Sequence, residues 1–595
     1  MKRLFVSVLV IFVGSISVFF KSPGKKPPKK RPNIIIILAD DLGFSDVGCY
    51  GGEIHTPNID YLGANGLKFT QFYNTSRCCP TRASLLTGVY NHDAGIGEMT
   101  EDRHEPGYRG HLTENVVTIA EVLRAAGYHT GMSGKWHVSN TVIQPTPKEQ
   151  LQWLNHQAYY PAFSPLEQYP TNRGFEKYYG NIWGVVDYFD PFSLVNGTTA
   201  VKEVPKDYYH TDAINDTAVA YIKEFGKQQD KPFFLYVAET APHWPIMALP
   251  EDIDKYKDTY KGGWDAIREA RYKRMVKLGI IDSSKEKLSP RWQDDLKWED
   301  NPDKEWDARA MAVHAAMVDR MDQGIGRIIG ALKETGELEN TIILFLSDNG
   351  ASAEDAARYG PGFDRPGETR DGRKIIYPTK KEVMPGPQTT FASIGQRWAN
   401  VASTPYSYWK SESYEGGIHT PLIAFWPQGM TAEKGSTTNQ VGHVMDFMAT
   451  FIELGQAKYP QEFKGNQIKP MEGISLAPIF KGKKRQGHKI LFNEHYGAKY
   501  VRTEDWKLVA QGNQKWNLYR IKEDQTELDD VSAQYPVKMH ELDSLWNQWA
   551  ILHNVLPKKG NVEEKPDEKE KIEQEKKKVK KEKLPPANFK SQKGN

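Results

Sequence analysis

Residues 33–38, Asn33-Ile34-Ile35-Ile36-Ile37-Leu38, form a β-branched apolar run that stops at Asp40-Asp41. A run with no polar alternation suits a strand covered on both faces, as in a parallel sheet. Residues 233–237 and 342–346 repeat the pattern. Helical periodicity separates the runs, notably at 118–126, closed by Gly127, and at 308–333, closed near Gly336. Strands alternating with helices over this length predict an α/β sandwich with a mostly parallel central sheet. Polar residues follow the C-terminal ends of the three runs: Asp40-Asp41, His243 and Asp348-Asn349. Open α/β sheets place their sites there.

The texture changes near residue 431. Short segments at 489–492, 500–502, 506–510 and 516–519, divided by polar turns, predict a small antiparallel sheet with a helix over 536–553 packed on it. This gives a large domain over 32–430 and a smaller α+β subdomain over 431–556. Residues 557–595 are nearly all Lys, Glu, Asp, Gln and Pro, too polar to fold alone, and read as a disordered charged tail. At the other end, Met1-Lys2-Arg3 and an apolar run from Leu4 to Phe20 describe an export signal, cleaved or kept as an anchor. A Lys/Pro-rich linker over 21–31 follows. The expected location is periplasmic, cell-surface or secreted.

Charge and cysteine usage narrow the chemistry. The 595 residues carry a formal net charge of only +2, with lysines crowded at the two ends, so nothing points to a nucleic-acid partner. Three cysteines, two of them adjacent (Cys78 and Cys79), exclude a disulfide-built fold and leave chemistry as a reason for the pair.

The most specific stretch is Cys78-Cys79-Pro80-Thr81-Arg82-Ala83-Ser84-Leu85-Leu86-Thr87-Gly88. It resembles the signature of the type I sulfatases, arylsulfatase-like members of the alkaline phosphatase superfamily, whose Cys-x-Pro-x-Arg cysteine is oxidised to formylglycine (3-oxoalanine). Thr81 stands where many members have Ser; the Cys, Pro and Arg are intact. The resemblance implies that Cys78 becomes an aldehyde in a host with a formylglycine-generating maturation enzyme. One hydroxyl of its gem-diol would attack sulfur, and the other would later collapse to expel sulfate. Arg82, one helical turn on, would hold the diol and neutralise charge. Cys79, which the motif does not require, reads as a small buried hydrophobe.

The resemblance extends in order over about 32–530 and implies the rest of the site. Asp40, Asp41, Asp348 and Asn349, with the modified Cys78, would bind one divalent metal. Hard oxygen donors suit Ca2+ or Mg2+, and the family favours Ca2+. Gly134-Lys135-Trp136-His137 implies Lys135 on a sulfate oxygen and His137 on the diol; in an extended segment both would face one way. His243, in Ala241-Pro242-His243-Trp244-Pro245, would stabilise or protonate the leaving alkoxide. Lys410, ahead of Glu415-Gly416-Gly417, would hold the sulfate oxygen facing the leaving group. Trp183 to Phe192 is a candidate substrate mouth or an aromatic core. His210, His419 and His495 read as structural, and Glu354 has no assigned role. Asn74, Asn196 and Asn215 open glycosylation triplets.

The expected substrate is a sulfated carbohydrate or another sulfate ester, with aryl sulfates as surrogates. Two alternatives stand: a phosphonate or phosphodiester hydrolase of the same superfamily, and an inactive relative that only binds sulfated glycans. A two-zinc phosphatase fits less well, since the metal set lacks the histidines it needs.

Overall fold

Strand β1 (Asn33–Ala39) lies buried at the centre of a ten-stranded sheet. This is a computed structural model, and it describes residues 31–555 apart from 161, 229, 292–295 and 513. The expected export segment, the linker up to residue 30 and the charged tail lie outside the described residues. In chain order the sheet also contains β2 (Leu67–Phe69), β3 (His129–Gly134), β4 (Lys177–Asn181), β5 (Leu194–Asn196), β6 (Thr199–Ala200), β7 (Phe233–Ala238), β8 (Thr341–Ser347), β9 (Leu422–Phe425) and β10 (Thr437–Thr438). Their spatial order is β10-β2-β9-β8-β1-β7-β3-β4-β5-β6. β1 pairs in parallel with both β7 and β8, β3 is parallel to β7 and β4, and β9 is antiparallel to β8 and β2.

The isoleucine run of β1 supplies both layers of the sandwich. Ile35 and Ile37 face one core, shared with α3 (His210–Phe225) and α4 (Lys304–Glu334). Ile34, Ile36 and Leu38 face the other, shared with α1 (Cys78–Thr87), α2 (Ile119–Ala125) and α5 (Asp446–Gly455). Side chains alternate across a strand, so an all-apolar strand must be covered twice. Thr118 caps α2 with a reciprocal capping box to Glu121.

The C-terminal sheet is antiparallel: β11 (Leu491–His495), β12 (Ala498–Arg502), β13 (Lys507–Ala510) and β14 (Asn517–Tyr519). Helix α6 (Pro536–Leu552) packs on it through Leu542, Trp546 and Trp549, in a core shared with Tyr73, Tyr90 and Met445 of the large layer. The expected boundary at 430 is corrected here. β10 extends the large sheet beside β2, and Phe447, Met448 and Phe451 of α5 lie in its core, so the large layer runs past it. Polar surface loops near 431 shift the local composition while the chain still returns to the sheet.

Candidate active site

The C-terminal edge of the sheet gathers the expected residues. Asp40 and Asp41 leave β1, Lys135 leaves β3, His243 follows β7, and Asp348-Asn349 leave β8. Cys78 is the first residue of α1 and Arg82 lies one turn later; Lys410 comes from the loop before β9. All are buried.

The carboxylates form the floor. Lys135 Nζ donates to Asp40 Oδ2 at 2.6 Å, and Lys410 Nζ lies 2.8 and 2.9 Å from the two oxygens of Asp41. Arg82 Nη2 donates to Asp348 Oδ2 at 2.9 Å and lies 3.7 Å from Asp40. Asn349 Nδ2 donates to Asp41 Oδ1 at 2.6 Å. Asp40 Oδ1 and Asn349 Oδ1 are buried without a hydrogen-bond partner. Burial first, then the neighbouring Asp348, raises the Asp40 carboxyl to about 7, against the pull of Lys135. Burial likewise raises Asp348. Oxygen donors with two unpartnered buried atoms fit a hard divalent cation, the group the resemblance implies.

Cys78 stands beside this floor with Cys79 and His137, their ligand atoms within 4.8 Å of one another. A hydrogen bond from Cys79, then His137 and Lys135, hold the Cys78 thiol well below its ordinary range despite burial. Burial and the Cys78 contact push Cys79 up. Burial lowers His137 to about 4. Beyond β3 the backbone N–H groups of Lys135, Trp136 and His137 still donate to Ala238, Asn181 and Ile182, and His137 itself has a left-handed backbone, φ 54°. Both side chains enter the site, Lys135 at Asp40 and His137 at Cys78. Gly184 makes room for the imidazole, because a Cβ there would sit 2.2 Å from it.

His243 is held in one tautomer. Its Nδ1 faces the Trp244 carbonyl oxygen, which only accepts, so Nδ1 carries the proton. Nε2 is then the acceptor for Lys410 Nζ at 3.1 Å, with Asp41 Oδ2 3.5 Å away. Burial, then Lys410, lowers its pKa.

The remaining candidates fall outside the centre. Trp183 and Phe192 pack with Trp153 and Phe163 as an aromatic core. His210 bonds Tyr208 and Asn181, and His419 stacks on Tyr73. Asn74 and Asn215 are fully buried, which leaves only the exposed Asn196 open to a glycan in the folded protein. Arg77, which sequence reasoning passed over, and Glu354, to which it gave no role, belong to the site's wall. Arg77 bonds Ser411 at 2.7 Å and Glu354 at 2.9 Å, and Glu354 reaches Lys410. Adjacency to Cys78 was the one signal for Arg77; nothing local marked Glu354.

A sequence model described as sulfatase matches residues 32–457. The chain belongs to the sulfatase family. Residues 406–549 match a second model, described as the C-terminal part of N-sulphoglucosamine sulphohydrolase. This sulfatase is 33% identical to an arylsulfatase of Klebsiella aerogenes over 479 residues, 79% of this chain and 97% of that one. It is 31% identical to an uncharacterized sulfatase of Schizosaccharomyces pombe over 563 residues, 88% of this chain and 94% of the other. Its fold is that of the crystal structure of Ps i-CgsB in complex with k-i-k-neocarrahexaose, with TM-score 0.59, 24% identity and coverage of 88% and 93%. The sulfatase is therefore a sulfuric ester hydrolase with an alkaline-phosphatase-like fold.

Proposed function

We propose that this sulfatase removes sulfate from a sulfated carbohydrate, with aryl sulfates as surrogate substrates, through a formylglycine made from Cys78 and with Ca2+ at Asp40, Asp41, Asp348 and Asn349. One observation carries the reading: the signature cysteine, three cationic side chains, two histidines and a floor with two unpartnered oxygens converge at one sheet edge. The bound cation would polarise a sulfate oxygen and favour the ionised nucleophile.

The chain's own groups do the rest. Hydrated formylglycine at position 78 supplies the attacking hydroxyl, and Arg82 fixes that end of α1 against Asp348. His137, kept neutral by burial, accepts the proton of the second hydroxyl when sulfate leaves. Lys135 and Lys410 bring positive charge to the sulfate oxygens. As the bond from sulfur to the substrate oxygen breaks, that oxygen takes its proton from the Lys410 ammonium, which the neutral His243 Nε2 accepts from and orients. The name of the C-terminal family model supports a sugar as the group released. Cys78 is 1% exposed, so a maturation enzyme must reach it before the chain closes over it. The basic-then-apolar start of the sequence supports export, where sulfated polysaccharides are met.

The test is the mass of the tryptic peptide starting at Cys78, from a host that makes formylglycine, alongside 4-nitrophenyl sulfate turnover with Ca2+ and with chelator. A loss of about 18 Da with chelator-sensitive release is expected. An intact thiol in fully active enzyme rejects the nucleophile.

A further inference from the structure

Glu354 lies in the loop after Asp348-Asn349, with a side chain 21% exposed at the edge of the site. Its Oε1 accepts from Arg77 Nη2 at 2.9 Å. Its Oε2 accepts from Trp244 Nε1 at 2.8 Å and Ser352 Oγ at 3.3 Å, and lies 3.3 Å from Lys410 Nζ. Arg77 Nη1 in turn donates to Ser411 Oγ at 2.7 Å. These partners are not scattered. Arg77 precedes Cys78, Trp244 follows His243, and Ser411 follows Lys410. A single carboxylate therefore ties together the three loops that bring the nucleophile, the histidine and the lysine.

The frame has a direction. Lys410 is shared among Asp41, Glu354 and His243 Nε2, so the Glu354 charge sets how far the ammonium leans away from the metal floor and toward the histidine. Trp244 is fixed from both sides, by the bond from its indole N–H to Glu354 and by stacking on Tyr359 at 5.2 Å. On its other side Glu354 lines, with Tyr359, Arg358 and Arg397, an open groove of about 490 Å3.

We propose that Glu354 is a positioning residue for the leaving-group half of the reaction: it holds Lys410, and His243 through Trp244, against the departing oxygen. The inference rests on the roles given above to His243 and Lys410. It makes a demand that general scaffolding does not. Help to a departing oxygen counts for more as the alkoxide becomes more basic, so losing Glu354 must hurt a sugar or alkyl sulfate more than 4-nitrophenyl sulfate.

The experiment compares kcat/KM for wild type, Glu354→Gln and Trp244→Phe on 4-nitrophenyl, phenyl and glucosamine 6-sulfates, with conversion at position 78 measured by peptide mass. Glu354→Gln is expected to lose ~10-fold on 4-nitrophenyl sulfate and ~10²–10³-fold on the sugar sulfate. Trp244→Phe, which keeps an aromatic ring for Tyr359 but loses the indole N–H, should show the same slope at smaller size and carries the test if the glutamine variant misfolds. Equal losses across the series, or none, overturn the proposal. The wild-type arm separates the two readings. Converted wild type that turns over the series while the variant ratio stays flat overturns only the role of Glu354. Active wild type with an intact thiol overturns the nucleophile reading, while a steep variant ratio still supports Glu354.

Discussion

Asp40 in the acidic floor at the end of β1 and Asp46 in the ion cluster just beyond it are both fully buried, in opposite company. Asp46 is satisfied at both oxygens: Arg271 Nη1 at 2.6 Å on one, and Gly43 N at 2.9 Å with His314 Nε2 at 3.1 Å on the other. Arg271 continues the network to Glu53 at 2.7 and 2.9 Å, where Tyr260 adds a bond at 2.9 Å. Burial alone would raise Asp46, but Arg271 and then His314 hold it at about 2. For Asp40, burial and Asp348 win over Lys135, and the carboxyl rises to about 7 with Oδ1 unpartnered. Similar burial thus gives a closed network in one place and an open one in the other. A closed network holds the fold, and an open one is poised to take up a further charge.

Exchanging the two residues for asparagine should separate the roles. Asp40→Asn removes a donor from the proposed metal floor and relieves repulsion with Asp348. It is expected to cost ~10³-fold in kcat/KM with a smaller stability loss than Asp46→Asn, because relief of the Asp348 repulsion offsets the weakened pair with Lys135. Asp46→Asn strands Arg271 and His314 beside a lost charge. It should cost about 3–5 kcal/mol of stability, with turnover per folded molecule within a few-fold of wild type. Denaturant unfolding and steady-state kinetics on both variants read this directly. Equal stability losses would erase the distinction between open and closed.

Cation binding sharpens the same contrast at smaller scale. Ca2+ at 100 times its dissociation constant should stabilise wild type by about 2.7 kcal/mol over protein in chelator. Asp46→Asn should keep that increment and Asp40→Asn should lose it, measured as the shift in Tm between Ca2+ and chelator. An unchanged Tm for wild type would remove Ca2+ from the floor.

What the sequence disclosed follows from how local each signal is. β1, β7 and β8 were legible because an all-apolar run has few other uses, and the residues after their ends were legible because such strands deliver loops to one edge. Lys135 and His137 were placed in the site by motif, but the seat of the His137 imidazole depends on room left by Gly184, distant along the chain. Asp46 went unnoticed because its partners are distant in sequence and sit on two separate helices, His314 on α4 and Arg271 on the helix Gly263–Lys277. Glu354 was visible as a residue but not as a hub, for the same reason. The boundary near 430 failed because composition records the surface, while β10 and α5 return to the core.

The smallest effect is an acid limb that belongs to the closed cluster. Asp46 has its folded pKa lowered from 3.8 to about 2, so its contribution is complete above pH 3.8 and is lost as pH falls through 2. The shift corresponds to about 2 kcal/mol, of which about half is gone by pH 3. Other groups also destabilise the protein in acid. His210, His443 and His495, lowered by burial to about 3, stay neutral in the fold while the unfolded chain takes up protons near 6.5. Their share appears equally in wild type and Asp46→Asn, so it cancels in the difference between the two. That difference, from urea unfolding at a series of pH values, should be flat above about pH 5 and shrink by about 1 kcal/mol toward pH 3. A difference that stays constant to pH 3 would mean that Asp46 is not held by Arg271 and His314 as the closed network requires, and the contrast with Asp40 would then rest on geometry alone.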